Sequence, residues 1–305
     1  MTLPATQPDA KRVTVHHLQG WGLIHASGAD AEAFLHAQLT NDLVHLGVDD
    51  AQWTGYCTAK GRMLSTFLLW RDGAGGFMLA CDRALVPGLV KRLRMFVMRA
   101  KLTIADVGDT LALTGEIGGH IASAMQVRRN GTSVRITLPA VEGSGRTLVA
   151  GAPPVDNAQH FDSDGASWMR AMIVAGEAWI TPATSEHFVP QMVNFDAIGG
   201  VNFKKGCYPG QEVVARAHYR GAVKRRMYLA RVGGVARAGQ PLFASDLGGQ
   251  ESGLIANAAP GADGQCLVLA VLPITSRHSA AIHLGSPDGP LLAFEELPYQ
   301  IPEPA

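Results

Sequence analysis

The residue types with the most chemical potential in this sequence cluster around Cys207, in the run FKKGCYPGQE at residues 203–212. Lys204 and Lys205 precede the thiol, Pro209 and Gly210 follow it, and Gln211–His218 carries the apolar stripe of a helix. A cysteine just ahead of a helix meets free amide N–H groups and the positive end of the helix dipole, and both favour a thiolate. Cys207 is therefore the cysteine expected to react, with Lys205 tuning it or contacting an anion. A nucleophile also needs a base, and His218 is the nearest histidine in sequence. The same residues admit a plainer reading, in which Gly206 and Gly210 shape a tight turn and Cys207 fills a gap in it.

Seven cations, Lys204, Lys205, Arg216, Arg220, Lys224, Arg225 and Arg226, fall between 204 and 226, opposed only by Glu212. Such a concentration can receive phosphates or carboxylates, or it is an ordinary solvated helix and hinge. The other cysteines, Cys57, Cys81 and Cys266, sit inside apolar runs and form no C-x-x-C pattern. Buried free thiols in a reducing compartment are expected, and a resident zinc or iron–sulfur centre is not.

The elements that must position these residues follow from periodicity. Strands are expected at Val13–His17 and Trp21–Ala26. Ser27 and Asp30 form an S-x-x-D cap for a helix through Phe34, Leu35 and Leu39. Strands at Gln52–Cys57, Met63–Trp70 and Gly76–Cys81 lead to a helix over 83–99 with Leu85, Leu89, Leu93 and Phe96 on one face. The order then restarts: strands at Leu102–Asp106 and Thr110–Leu113, a helix over 117–125, strands at Ser133–Leu138 and Thr147–Ala150, and a helix near Trp168–Ala175. Mixed strands and helices in this order indicate an α+β fold. After Arg226, short strands alternate with Gly/Pro/Asp turns, the pattern of a small β-barrel. Three regions result: a floppy tail at 1–12, an α+β domain at 13–225 and a β-rich domain at 226–305.

The whole chain sets limits. Its 305 residues are 47% apolar, and its charges balance to zero. With a pI near 7.2, it lacks the overall basic character of a dedicated nucleic-acid binder. No membrane-length apolar run and no signal-peptide core are present, so a cytoplasmic protein is expected.

The string KKGCYPGQE, with the following VAR, YRG and KRR, resembles the signature of the YgfZ family, folate-binding relatives of the glycine cleavage T-protein (aminomethyltransferase). The resemblance includes Gly206, Tyr208, Gly210, Gln211, Glu212 and Arg216. It extends to FLHAQLTNDL at 34–43, CTAKGRM at 57–63, FVPQMVN at 188–194 and LPY at 297–299, and so spans nearly the full chain. It implies a pseudo-duplicated folate-binding α+β domain followed by a small β-barrel, with tetrahydrofolate as cofactor. It also implies a role in assembling or repairing iron–sulfur clusters in client proteins, including tRNA-modifying enzymes, without direct nucleic-acid binding. Two tryptophans of the family's folate site map to Trp21 and Trp168, where a pterin ring can stack on an indole; Trp53, Trp70 and Trp179 carry no such assignment. T-protein has paired aspartates where this chain has Ser65 and Thr66, and a hydroxyl cannot replace a carboxylate at neutral pH. Ile173 and Val174 also depart from the more acidic pattern of relatives. The resemblance therefore implies a folate-dependent helper. The alternatives are a one-carbon transferase using another acid, for which Asp42 is the candidate, and a folate-binding module without chemistry.

Overall fold

A computed structural model describes residues 13–152, 161–162, 165–219, 223–261 and 264–302; the expected tail at 1–12 and Arg220 lie outside them. The first half of the chain runs β1 (Thr14–His17), β2 (Trp21–Ser27), α1 (Ala31–His36), β3 (Ala51–Cys57), β4 (Met63–Arg71), β5 (Phe77–Asp82), α2 (Val86–Val97) and β6 (Thr103–Asp106). It continues with β7 (Ala112–Ile117), β8 (Val127–Asn130), β9 (Ser133–Val141), β10 (Ser144–Gly151), β11 (Phe161–Asp162), α3 (Ala166–Val174) and α4 (Gln211–Tyr219). The C-terminal part comprises β12 (Arg225–Gly233), β13 (Pro241–Ala244), β14 (Glu251–Pro260), β15 (Gln265–Pro273), α5 (Ile274–Ser279), β16 (Ile282–Leu284) and β17 (Leu292–Glu295).

These strands form three sheets, ordered β3-β4-β5-β2-β6, β11-β1-β7-β10-β9-β8 and β16-β13-β14-β15-β12-β17. The first sheet is buried on both faces, as its sequence requires. Along β4, Leu64, Phe67 and Leu69 face a core shared with α1 and α2, whereas Met63, Leu68 and Trp70 face the second sheet. A strand covered on both sides reads as a continuous apolar run rather than an alternating one. The third sheet lays Met227, Leu229, Ala256, Leu267, Leu269 and Val271 against that same inter-sheet core. It curls until its edge strands meet at the bridge between His283 and Leu291.

Several expectations are corrected. No helix forms over 117–125: Gly118 and Gly119 have φ of 120° and 70°, and Gly118 N–H bonds the carbonyl of Gly145. A helix cannot propagate through two such residues. The second half therefore lacks the expected helix between its opening strands, and the two halves exchange strands, β1 lying in the second sheet and β6 in the first. Asp30 makes no side-chain cap on α1; its carboxylate accepts from Lys101 N at 2.6 Å. On α2 the buried stripe is Val86, Leu89, Val90 and Leu93, and Phe96 is 48% exposed.

Candidate functional site

Trp21 opens β2 and Trp168 lies in the first turns of α3. Both line a cavity of about 300 Å³ together with Trp179, Asp82, Leu18, Met169 and the end of β14 at Ala258–Pro260. Trp21 stacks on Trp179 with centroids 3.8 Å apart and planes 20° from parallel. Trp168 meets Trp21 edge-on at 6.2 Å. Trp168 is fully buried because Gly115 lets the ring settle on bare backbone; a Cβ there would lie 2.3 Å from the indole. Among the described residues its buried Nε1 has no hydrogen-bond partner. Behind it, the guanidinium of Arg146 lies 6.0 Å from the ring and is locked to Glu177 by bonds of 2.9 and 2.7 Å.

Trp179 is positioned by its backbone. Asn257, on β14, accepts from Trp179 N at 2.9 Å and donates to Trp179 O at 2.8 Å. Thr66 Oγ1 accepts from the next amide, Ile180 N, at 3.1 Å. Ser65 and Thr66 are both fully buried, and Ser65 Oγ donates to Thr66 O at 3.0 Å. The hydroxyls standing where the resemblance places aspartates are thus fastened into the frame of the cavity. The carboxylate that does line it is Asp82, paired with Trp21 across β2 and β5. Burial raises its pKa, partly offset by N–H groups from Ala84 and Leu85. Asp42, the acid considered for a transferase, is elsewhere: its carboxylate takes Val44 N, His45 N and His45 Nδ1.

Cys207 and Lys205 belong to a second cluster, with no lining residue in the tryptophan cavity. Cys207 is exposed, whereas Cys57, Cys81 and Cys266 are buried. Burial pushes the Cys57 thiol up to about 12. Cys207 lies four residues ahead of α4, but the amides of Gln211 and Val213 bond the carbonyls of Tyr208 and Gly210, so they are turned away from the thiol. Lys205 is buried, and its Nζ donates to the carbonyls of His36 and Leu39. Burial lowers its pKa to about 8. Tyr208 is buried under the Lys205 ammonium, 4.9 Å from it. Gly206, Glu212 and Arg216 are exposed, and Gln211 Nε2 donates to Lys205 O at 3.4 Å.

Gly210, with φ of 80°, seats this loop on the turn at Thr58–Gly61, where a Cβ would come within 2.4 Å of Thr58 O. Asn202 N bonds Thr40 O, and Asn41 donates to Gly199 O at 2.7 Å. The segments LTND, KGR and KGCYPGQE, far apart in sequence, are thereby one structure. His218 is no partner for the thiol: its ring stacks on Phe203 at 3.7 Å. The histidine at this loop is His36, whose Nε2 would lie 3.8 Å from a Cβ on Gly206. His36 Nδ1 lies 3.3 Å from Leu43 N and 3.5 Å from Asp42 Oδ1. Burial, then Lys205, lower its pKa. Arg226 also leaves the basic surface, buried in a two-bond pair with Asp196 at 2.7 and 3.0 Å.

Trp179, Asp82 and His36 carried no sequence assignment. Trp179 had a signal, since it ends the same WMRAMIVAGEAW segment that Trp168 opens. Asp82 had a weaker one, an acid closing an apolar strand before a helix. Nothing in sequence spacing joins His36 to position 206. Among the described residues, no cluster of three or more His, Cys, Asp or Glu side chains suited to a metal is present, and no helix is long and apolar enough to cross a membrane.

A scan of the sequence against protein-family models gives no match. In overall fold the chain resembles the glycine cleavage system aminomethyltransferase T from Bartonella henselae, with a TM-score of 0.70 over 95% of this chain and 87% of that one, at 13% identity. The fold class is therefore that of T-protein. By sequence, the chain is 31% identical to the tRNA-modifying protein YgfZ of Serratia proteamaculans over 326 residues, 98% of this chain and 97% of that protein. It is equally 31% identical to its namesake in Escherichia coli O157:H7 over 331 residues, 98% of each. The chain belongs to the YgfZ family.

Proposed function

We propose that this chain is a cytoplasmic tetrahydrofolate-binding accessory protein of iron–sulfur cluster assembly and repair, supporting client enzymes that include tRNA-modifying ones. The observation that carries the reading is the convergence of Trp21 and Trp168 on one cavity. Its lining suits a pterin: flat apolar indole walls and the Asp82 carboxylate for ring N–H donors. Bound folate would supply a reduced pterin. The chain's own part is to hold that ring through Trp21, Trp179 and Asp82 and to screen it from water. Cys207 acts apart from the cavity as an exposed thiol that meets a client, a sulfur or a metal site. The two sheets packed on one core are the halves of the duplicated folate-binding domain, and the curled third sheet is the accompanying barrel domain.

Aminomethyl transfer is disfavoured because Ser65 and Thr66 are structural hydroxyls and Asp42 does not line the cavity. Calorimetric titration with tetrahydrofolate tests the binding claim; saturable 1:1 heat, weakened about tenfold or more in Asp82→Asn, is expected, and absence of heat sinks it. Complementation of a deletion strain tests the thiol: full restoration of cluster-dependent activity by Cys207→Ser would dismiss its role.

A further inference from the structure

A second cavity, of about 280 Å³, opens at the other end of the space between the first two sheets, lined among others by His25, Asp72, Trp70, Met78, Val134 and Ala150. It shares no residue with the tryptophan cavity. Trp21 and His25 lie on the same face of β2 but four residues apart, about 13 Å along a strand, and buried Leu23 fills the core between them. His25, Met78 and Trp70 come from neighbouring strands of the first sheet, while Val134 and Ala150 come from the facing sheet. The space is a slot with apolar walls.

Two polar groups border this slot. Trp70 is fully buried and among the described residues its Nε1–H has no partner, although a buried indole normally finds an acceptor. His25 Nε2 lies 2.8 Å from Asp72 Oδ2. Asp72 Oδ1 is held by Ala74 N at 2.7 Å and Gly76 N at 2.8 Å. Gly76 has no side chain because a Cβ would fall 2.4 Å from Asp72 Oδ2 and 3.0 Å from His25 Nε2. An ionised carboxylate only accepts, so the neutral imidazole keeps its proton on Nε2 and leaves Nδ1 as an acceptor. Among the described residues, nothing bonds Nδ1. One buried donor without a partner among the described residues and one oriented, part-exposed acceptor thus border an apolar slot.

We propose that this slot binds a small planar heteroaromatic bearing a ring carbonyl and a ring N–H, the edge chemistry of a nucleobase or other cyclic lactam. The carbonyl takes the N–H of Trp70, the ring N–H is given to Nδ1 of His25, and the ring lies between the sheets. Neither residue belongs to the folate reading above.

The test uses the full-length protein with ¹⁵N-labelled tryptophan, which gives five indole N–H signals; the Trp70 signal is assigned with Trp70→Phe. The probe is hypoxanthine at millimolar concentration, and indole, flat but without a carbonyl, is the control. The Trp70 signal should shift saturably with hypoxanthine and not with indole. His25→Ala should weaken that response at least about tenfold, with the other four signals unmoved as proof of folding. Trp21→Phe should leave it unchanged. An unmoved Trp70 signal, an equal response to indole, undiminished binding in His25→Ala, or a response that depends on Trp21 each overturns the proposal.

Discussion

At the scale of single residues, exposure separates chemistry from packing. All four thiols are free, yet only Cys207 is open to solvent. Iodoacetamide on the native protein should therefore add one carbamidomethyl group, at Cys207, and four after denaturation, as read by intact mass and peptide mapping. Lys205 gives a pH signature. Its folded pKa of about 8 lies below the ordinary 10.5, so between those values the unfolded chain holds a proton that the folded chain has released. Stability must then rise as pH climbs from about 8 to 10.5. In Lys205→Met that component is absent, and urea midpoints measured across the window will show it. Thr66→Val keeps shape but strands the buried amide of Ile180, a loss of about 1–3 kcal/mol measurable in the same assay.

At the scale of elements, the functional loops are held by backbone contacts that leave no room for a side chain. Gly210→Ala combines a left-handed φ with a Cβ driven into Thr58 O and the Gly61 backbone. Strain and overlap together should cost about 3 kcal/mol and loosen the Cys207 loop, seen as faster amide exchange over 205–212. Asn257→Ala removes both bonds that fix Trp179, and a destabilisation of about 2–3 kcal/mol is expected. Much of this scale was legible in the sequence. The strands from Gln52 to Cys81 are long apolar runs, and burial on both faces of the first sheet is what such runs record. The helix expected at 117–125 does not form because Gly118 and Gly119 hold positive φ, a conformation that spacing alone does not record. The convergence of LTND, KGR and KGCYPGQE was legible only as shared resemblance, since the bonds joining them link residues up to about 160 positions apart.

At the scale of the molecule, the third sheet completes the core rather than hanging from it. Asn257 pins Trp179, and Tyr299 donates to Gly176 O at 2.7 Å, closing the end of α3. Arg226, on β12, pairs with Asp196, with both side chains 4% exposed. Asp196→Asn leaves a buried guanidinium without its counter-charge, at about 3–5 kcal/mol, and should lower the thermal midpoint markedly. Truncation after residue 224 should yield aggregated protein without folate binding, because Met227, Leu269 and Val271 would no longer cover the inter-sheet core. Sequence texture places a change at about residue 225, but it does not record that side chains before and after it share a hydrophobic core.

The central claim is that the tryptophan cavity holds folate, and the direct measurement is tetrahydrofolate titration followed by tryptophan fluorescence in the wild type, Trp21→Phe, Trp168→Phe and Trp179→Phe. The account predicts saturable quenching in the wild type and at least about tenfold weaker binding in Trp21→Phe and Trp179→Phe. Trp168→Phe, which removes part of an indole wall, should also bind more weakly. Quenching that is absent in the wild type, or identical affinity in all four proteins, would contradict it.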